Sequence, residues 1–267
     1  MKFRRSENPT AEMPFLEHLE ELRWRLLWSL LALTVATVAS FIVVTQFNVI
    51  GILKRPAEPY LTATGGELVN LTVVGPFFIT LKVAVSMGLV LASPIIFYQV
   101  WSFLSPALMP KEKRAIIPAL YLGLILFAAG AALAYFVALP FTMRFMTNFQ
   151  ADSLVQYITA DDYFGFVVKL LLGFGAMFEM PVIIMVLTAI GLANSKFLAS
   201  KRRYAVAIMA IASALLTPGD VIVPTLVLMG PLLLLYEFSI VLAKLVEKKT
   251  RAKETPADNE ILPEATA

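Results

Sequence analysis

The chain contains no cysteine and a single histidine, His18, among its 267 residues. The first absence excludes a disulfide framework and any thiolate metal or redox centre. The second excludes a multi-histidine metal site and argues against a Ser–His nucleophile pair, and so against an enzyme of that kind. No glycine-rich phosphate loop occurs, so no nucleotide site is visible and no cofactor is implied. Charge is scarce as well, with 15% of residues Asp, Glu, Lys or Arg. Apolar residues take their place: 59% of the chain is hydrophobic and the mean hydropathy is +0.78. A typical soluble domain is about 45–50% apolar.

Several apolar runs exceed the roughly 18 residues that a spanning helix needs. The chain therefore reads as an all-α, polytopic membrane protein in the lipid bilayer. Six transmembrane helices are predicted, at about 24–46, 76–101, 116–139, 164–190, 204–217 and 221–243. They form one membrane domain over residues 1–248, and residues 249–267 read as a polar, disordered tail. The first run is too long, and its amino-terminal flank too acidic, for a cleaved signal peptide.

Lys and Arg set the orientation. They concentrate in the amino-terminal region (Lys2, Arg4, Arg5, Arg23, Arg25), in the second loop (Lys111, Lys113, Arg114), in the fourth (Lys196, Lys201, Arg202, Arg203) and in the tail. This bias places both termini in the cytoplasm. The two outer loops, 47–75 and 140–163, carry Pro56, Pro59, Gly65, Gly66 and the pair Asp161-Asp162, and read as a structured cap. The fifth span is short: Tyr204 to Leu216 reaches only about 20 Å, against a hydrocarbon core of about 30 Å, so the bilayer is expected to thin there. Prolines interrupt the spans at Pro94, Pro181, Pro224 and Pro231. No internal repeat is visible.

Three places hold residues that could carry function. The segment from Met13 to Leu27 places Phe15, Leu19, Leu22 and Leu26 on one helical face, with Glu17, Glu21 and Arg25 on another. This segment reads as an amphipathic helix on the membrane surface running into the first span. The second loop sets Glu112 among Lys111, Lys113 and Arg114. Glu179 lies inside the fourth span, two residues before Pro181. A carboxylate at that depth costs several kcal/mol, which marks it as functional or as a hydrogen-bonded core acid. Lys82 and Lys169 are expected to snorkel, Glu237 to pair with a polar neighbour, and Asp220 to cap a helix.

Five blocks occur in order along residues 14–243: His18-Leu19-Glu20-Glu21-Leu22-Arg23, Ser93-Pro94-Ile95-Ile96-Phe97-Tyr98-Gln99-Val100-Trp101, Glu112-Lys113-Arg114, Phe174-Gly175-Ala176-Met177-Phe178-Glu179-Met180-Pro181 and Leu216-Thr217-Pro218-Gly219-Asp220. Together they resemble the TatC family, the multi-span receptor subunit of the twin-arginine, Sec-independent protein translocase. The resemblance implies a plasma-membrane or inner-membrane protein that binds twin-arginine signal peptides of folded precursors. It also implies assembly with single-span TatA/TatB-type subunits, self-association in a larger complex, and export driven by the proton-motive force. Glu21 and Glu112 match the family's recognition patch, with Glu20 as an auxiliary position and Arg23 in a structural role. The chemistry fits, because a carboxylate accepts the planar arginine fork bidentately. Glu179 and Thr217 match intramembrane polar positions associated with partner contacts. The chain departs from some members near the last hairpin, where it has Ala214 and Pro224. The alternative is a proton-coupled secondary transporter using Glu179.

Overall fold

The computed structural model describes residues 15–61, 67–104, 116–149, 157–189, 191–217 and 222–254. Its first element, α1 (Phe15–Gln46), is one uninterrupted helix of 32 residues. The amphipathic segment is therefore continuous with the first span in a single helix. No proline or glycine occurs between residues 15 and 46 to turn the chain. At 1.5 Å per residue, α1 is about 48 Å long, more than a hydrocarbon core requires.

Asn48 then reverses the chain. It adopts the left-handed conformation (φ 49°), and its side chain accepts from the Gly51 N–H at 3.2 Å, which starts α2 (Val49–Lys54). A 3-10 turn, Arg55–Tyr60, follows, with Ala57 and Leu61 buried beneath it. The Tyr135 hydroxyl donates to the Ile52 carbonyl (2.6 Å) and the Tyr163 hydroxyl to the Leu53 carbonyl (2.7 Å). The two long connections also meet: the Val69 N–H donates to Ile158 and the Ala160 N–H donates back to Val69. The expected cap is thus a bonded structure.

Helix α3 (Gly75–Leu104) packs along α1. The approach is close at Gly88, where a Cβ would fall 2.7 Å from the Thr37 Cα. Pro94 lies inside α3 without ending it, contrary to the sequence expectation. Proline at 94 orphans the Val90 carbonyl four residues back. The Ser93 hydroxyl donates to that same carbonyl at 2.7 Å and satisfies it. The next span is α4 (Ile116–Leu133), a π turn (Ala134–Ala138) and α5 (Leu139–Asn148). It runs nine residues past the predicted end because the π turn absorbs Pro140 at the start of α5.

Helix α6 (Ala160–Phe178) begins four residues earlier than predicted. The Thr159 hydroxyl accepts from the Asp162 N–H at 3.1 Å and donates to the Asp162 carboxylate at 2.6 Å, a reciprocal cap. At Glu179 the span breaks, and α7 (Met180–Ala189) continues it. Helices α8 (Ser195–Ser200) and α9 (Arg202–Leu216) lead to α10 (Ile222–Glu254). Pro231 lies within α10, which continues past it, and the helix carries the chain beyond residue 248, where the polar tail was expected to start.

Five of these helical stretches are long and apolar enough to cross a membrane: His18–Gln46, Gly75–Val100, Tyr121–Asn148, Ala160–Ala189 and Ile222–Lys248. The sixth predicted span is α9, with 15 residues. It runs antiparallel to α10, with Arg202 paired to Glu237 at one end and Thr217 bonded to Thr225 at the other. Leu216, at its tip, fills the space over Gly173 of α6. That level is 13 residues, or about 20 Å, along α6 from its start. Two apolar clusters result. One joins α1 and α3–α6 to the cap and takes in Leu216 of α9 and Leu228 and Leu235 of α10; the other joins α7–α10 around Met209, Leu232 and Ile240. Met177, next to the Glu179 break, touches both.

Candidate functional site

The first site is at the beginning of α1. Four residues separate Glu21 from Arg25, so both lie on one side of the helix. Arg25 donates from Nε (3.1 Å) and from Nη2 to the same oxygen, Oε1 of Glu21. The other oxygen, Oε2, is buried and has no hydrogen-bond partner. His18 Nδ1 lies 3.8 Å from it, beyond hydrogen-bond length. The His18 ring is itself stacked on Phe103, with centroids 4.3 Å apart and planes at 17°. Phe103 is next to last in α3, so the stack fastens the Glu21 turn beside the entry to the second loop. Glu20 is exposed, and Arg23 is exposed on the same turn. Glu112, in that loop, lies outside the described residues.

His18 and Phe103 were not singled out as site residues by sequence reasoning. A histidine three residues before a candidate acid was the available signal, since i and i+3 share a face. Phe103 gave none, because its contact depends on how α1 and α3 cross.

The second site is the break in the fourth span. Glu179 is 8% exposed, and its backbone carbonyl accepts from both Val182 and Ile183 N–H at 3.0 Å. Its carboxylate lies against the bare backbone of α4: a Cβ at Gly123 would fall 2.7 Å from Oε2 and 3.3 Å from Oε1. Oε1 has no hydrogen-bond partner. The same helix pair is close at two further points, where Gly130 meets Phe174 and Phe178 and Gly175 meets Phe127. Glycine at these contacts lets the backbones approach. The acid is therefore enclosed between α4 and the α6–α7 break, away from lipid.

Thr217 is buried. Its hydroxyl donates to the Ser213 carbonyl (2.7 Å) and accepts from Thr225 (3.2 Å), so it closes the end of α9. It lies near the Leu216–Gly173 contact, and no bond joins it to Glu179. Lys82 does not reach out alone but pairs with Asp161 at 2.8 Å. Glu237 has the expected partner: Arg202 meets it with two nitrogens, at 2.7 and 2.8 Å. Asp220 lies outside the described residues. Among the described residues, no three His, Asp or Glu side chains gather as a metal site.

Comparison with known proteins agrees along most of the chain. Residues 17–231 match the family model of TatC, the Sec-independent protein translocase protein. The Sec-independent protein translocase protein TatC of Aquifex aeolicus is 40% identical over 242 residues, covering 90% of this chain and 98% of that protein. TatCy of Bacillus subtilis is 36% identical over 256 residues, covering 94% and 96%. A crystal structure of the twin-arginine translocase receptor TatC superposes with a TM-score of 0.75 at 38% identity, covering 86% of this chain and 99% of that one. These relatives are translocase components, and the chain is a multi-pass membrane protein of their kind. It belongs to the TatC family of Sec-independent protein translocase proteins.

Proposed function

We propose that this chain is the signal-peptide receptor and assembly core of its translocase. Glu21 and Glu112 together accept the two adjacent arginines of an export signal. The observation that carries the reading is the state of Glu21: a half-buried carboxylate with one oxygen unpartnered, one turn after a histidine that stacks on Phe103 near the end of α3. Two arginine forks call for two carboxylates, and charge-assisted pairs of this type are the strong ones. Glu20 is auxiliary and Arg23 structural. The site faces the cytoplasm, with both termini on the cytoplasmic side of the inner membrane, as the Lys and Arg distribution favours.

Glu179 and Thr217 serve the second part of the role. They mark the region where a single-span TatA/TatB-type subunit packs its helix. The 15-residue α9 and the unpartnered Oε1 of Glu179 beside Gly123 favour it. Export energy is the proton-motive force.

Photocrosslinkers placed at positions 21 and 112, with a twin-arginine precursor added, test the reading. Both positions are expected to capture the signal peptide, and a precursor with both arginines changed to lysine is expected to escape. Capture that is indifferent to this change overturns the assignment.

A further inference from the structure

We propose that Arg25 is a built-in competitor for the recognition acid, and that a signal arginine binds Glu21 by exchanging with it. The inference rests on the receptor reading above and goes beyond it. In the free chain, Glu21 is not a vacant acceptor. Two nitrogens of the Arg25 guanidinium converge on Oε1, and the pair is preformed because both residues belong to one unbroken helix. Side-chain exposures of 20% for Arg25 and 23% for Glu21 remove it from the class of open surface pairs that solvent screens away. The second oxygen is withheld too. Oε2 is buried, and the ring facing it, His18, is held in place by Phe103.

An incoming guanidinium can pair its fork with both oxygens at once. Full engagement needs Arg25 off Oε1 and the His18 ring away from Oε2. At Oε1 one guanidinium replaces another, so that step gives little net free energy. The gain comes from Oε2 and from whatever second acceptor the peptide reaches. A peptide with one arginine therefore gains less than one with two. Lysine, a point charge on a flexible stem, displaces a two-nitrogen contact poorly. Arg25 thus sets a threshold: it weakens binding of every cationic peptide, and weakens lone or lysine-bearing signals most.

The full chain in detergent, titrated with a fluorescent peptide carrying two adjacent arginines, gives the test. Arg25→Gln is expected to bind at least twofold tighter than the parent, and to prefer the twin-arginine peptide over its twin-lysine version by a smaller ratio. Arg25→Lys keeps the charge but not the fork, and is expected to fall between. Far-UV circular dichroism and a monodisperse elution peak confirm that each variant is folded. Glu21→Gln, measured alongside, separates the two claims. If Glu21→Gln binds like the parent, the receptor reading fails. If Glu21→Gln weakens binding while Arg25→Gln leaves it unchanged or weaker, competition is wrong and Arg25 only orients the acid. If Arg25→Lys matches the parent while Arg25→Gln binds tighter, net charge and not exchange is responsible, and the proposal falls.

Discussion

The carboxylate of Glu179 occupies the space that a side chain at Gly123 would fill, 2.7 Å from where its Cβ would sit. Glycine at 123 is thus a condition for an acid at 179. Gly123→Ala should push the carboxylate out of its slot or force α4 from α6, at a cost of about 1–3 kcal/mol. Thermal unfolding in detergent measures it. Removing the carboxylate should relieve the clash, so Gly123→Ala should cost less in a Glu179→Ala background. A cycle with no coupling would show that the crowding lies elsewhere.

Glu179 itself should tolerate Gln better than Leu. Gln keeps the shape and the hydrogen-bonding capacity beside Gly123, whereas Leu places apolar branches against the backbone and removes the polar spot. If the region receives a partner helix, Glu179→Leu should reduce crosslinking to the single-span subunit and leave signal-peptide binding at Glu21 intact. Equal loss of signal binding in both variants would assign the residue to core stability alone. The proton-coupled transporter alternative differs again, since there Gln would abolish uptake of a small solute.

Sequence reasoning reached the features that depend on composition and local spacing. The apolar runs located the helices, a buried acid next to Pro181 located the break, and clustered prolines located the cap. It failed where tertiary register decides. Nothing local marks Gly123 as the partner of a residue 56 positions away, or Phe103 as the ring under His18. Pro94 and Pro181 look alike in sequence, yet only the second divides its helix. Ser93 fills the orphaned carbonyl in one case, and in the other the helix is interrupted at Glu179. The amphipathic pattern of residues 13–25 was legible, and periodicity alone leaves its direction open. A helix on a surface and a helix projecting along a span share one periodicity.

The cap should depend on two hydroxyls. Tyr135 and Tyr163 donate to consecutive carbonyls, those of Ile52 and Leu53, and so hold α2 and the following turn over the helix ends. Each Tyr→Phe change should cost about 0.5–1.5 kcal/mol. The Tyr163 change should be at the upper end, because its ring is nearly fully buried and the freed carbonyl has less access to water. The double variant should speed protease cleavage within residues 47–75 more than either single change. An unchanged cleavage rate would show that the Val69–Ile158 pairing and the Lys54–Glu67 ion pair hold the cap without the tyrosines.

Ser93 offers the sharpest test of why α3 survives a proline. Its hydroxyl bonds the carbonyl that Pro94 leaves without a partner. Ser93→Ala removes that bond at a buried position of α3 and should cost about 1–3 kcal/mol, the desolvation penalty of an unsatisfied carbonyl. Ser93→Thr keeps the hydroxyl and should cost less, while adding one methyl group to a tight site. Pro94→Ala restores the backbone donor and makes the hydroxyl redundant. Ser93→Ala should therefore be nearly silent in a Pro94→Ala background. Detergent thermal unfolding of the four variants decides it: a full Ser93→Ala penalty in the absence of Pro94 would mean that the serine stabilises α3 through packing and not through the carbonyl.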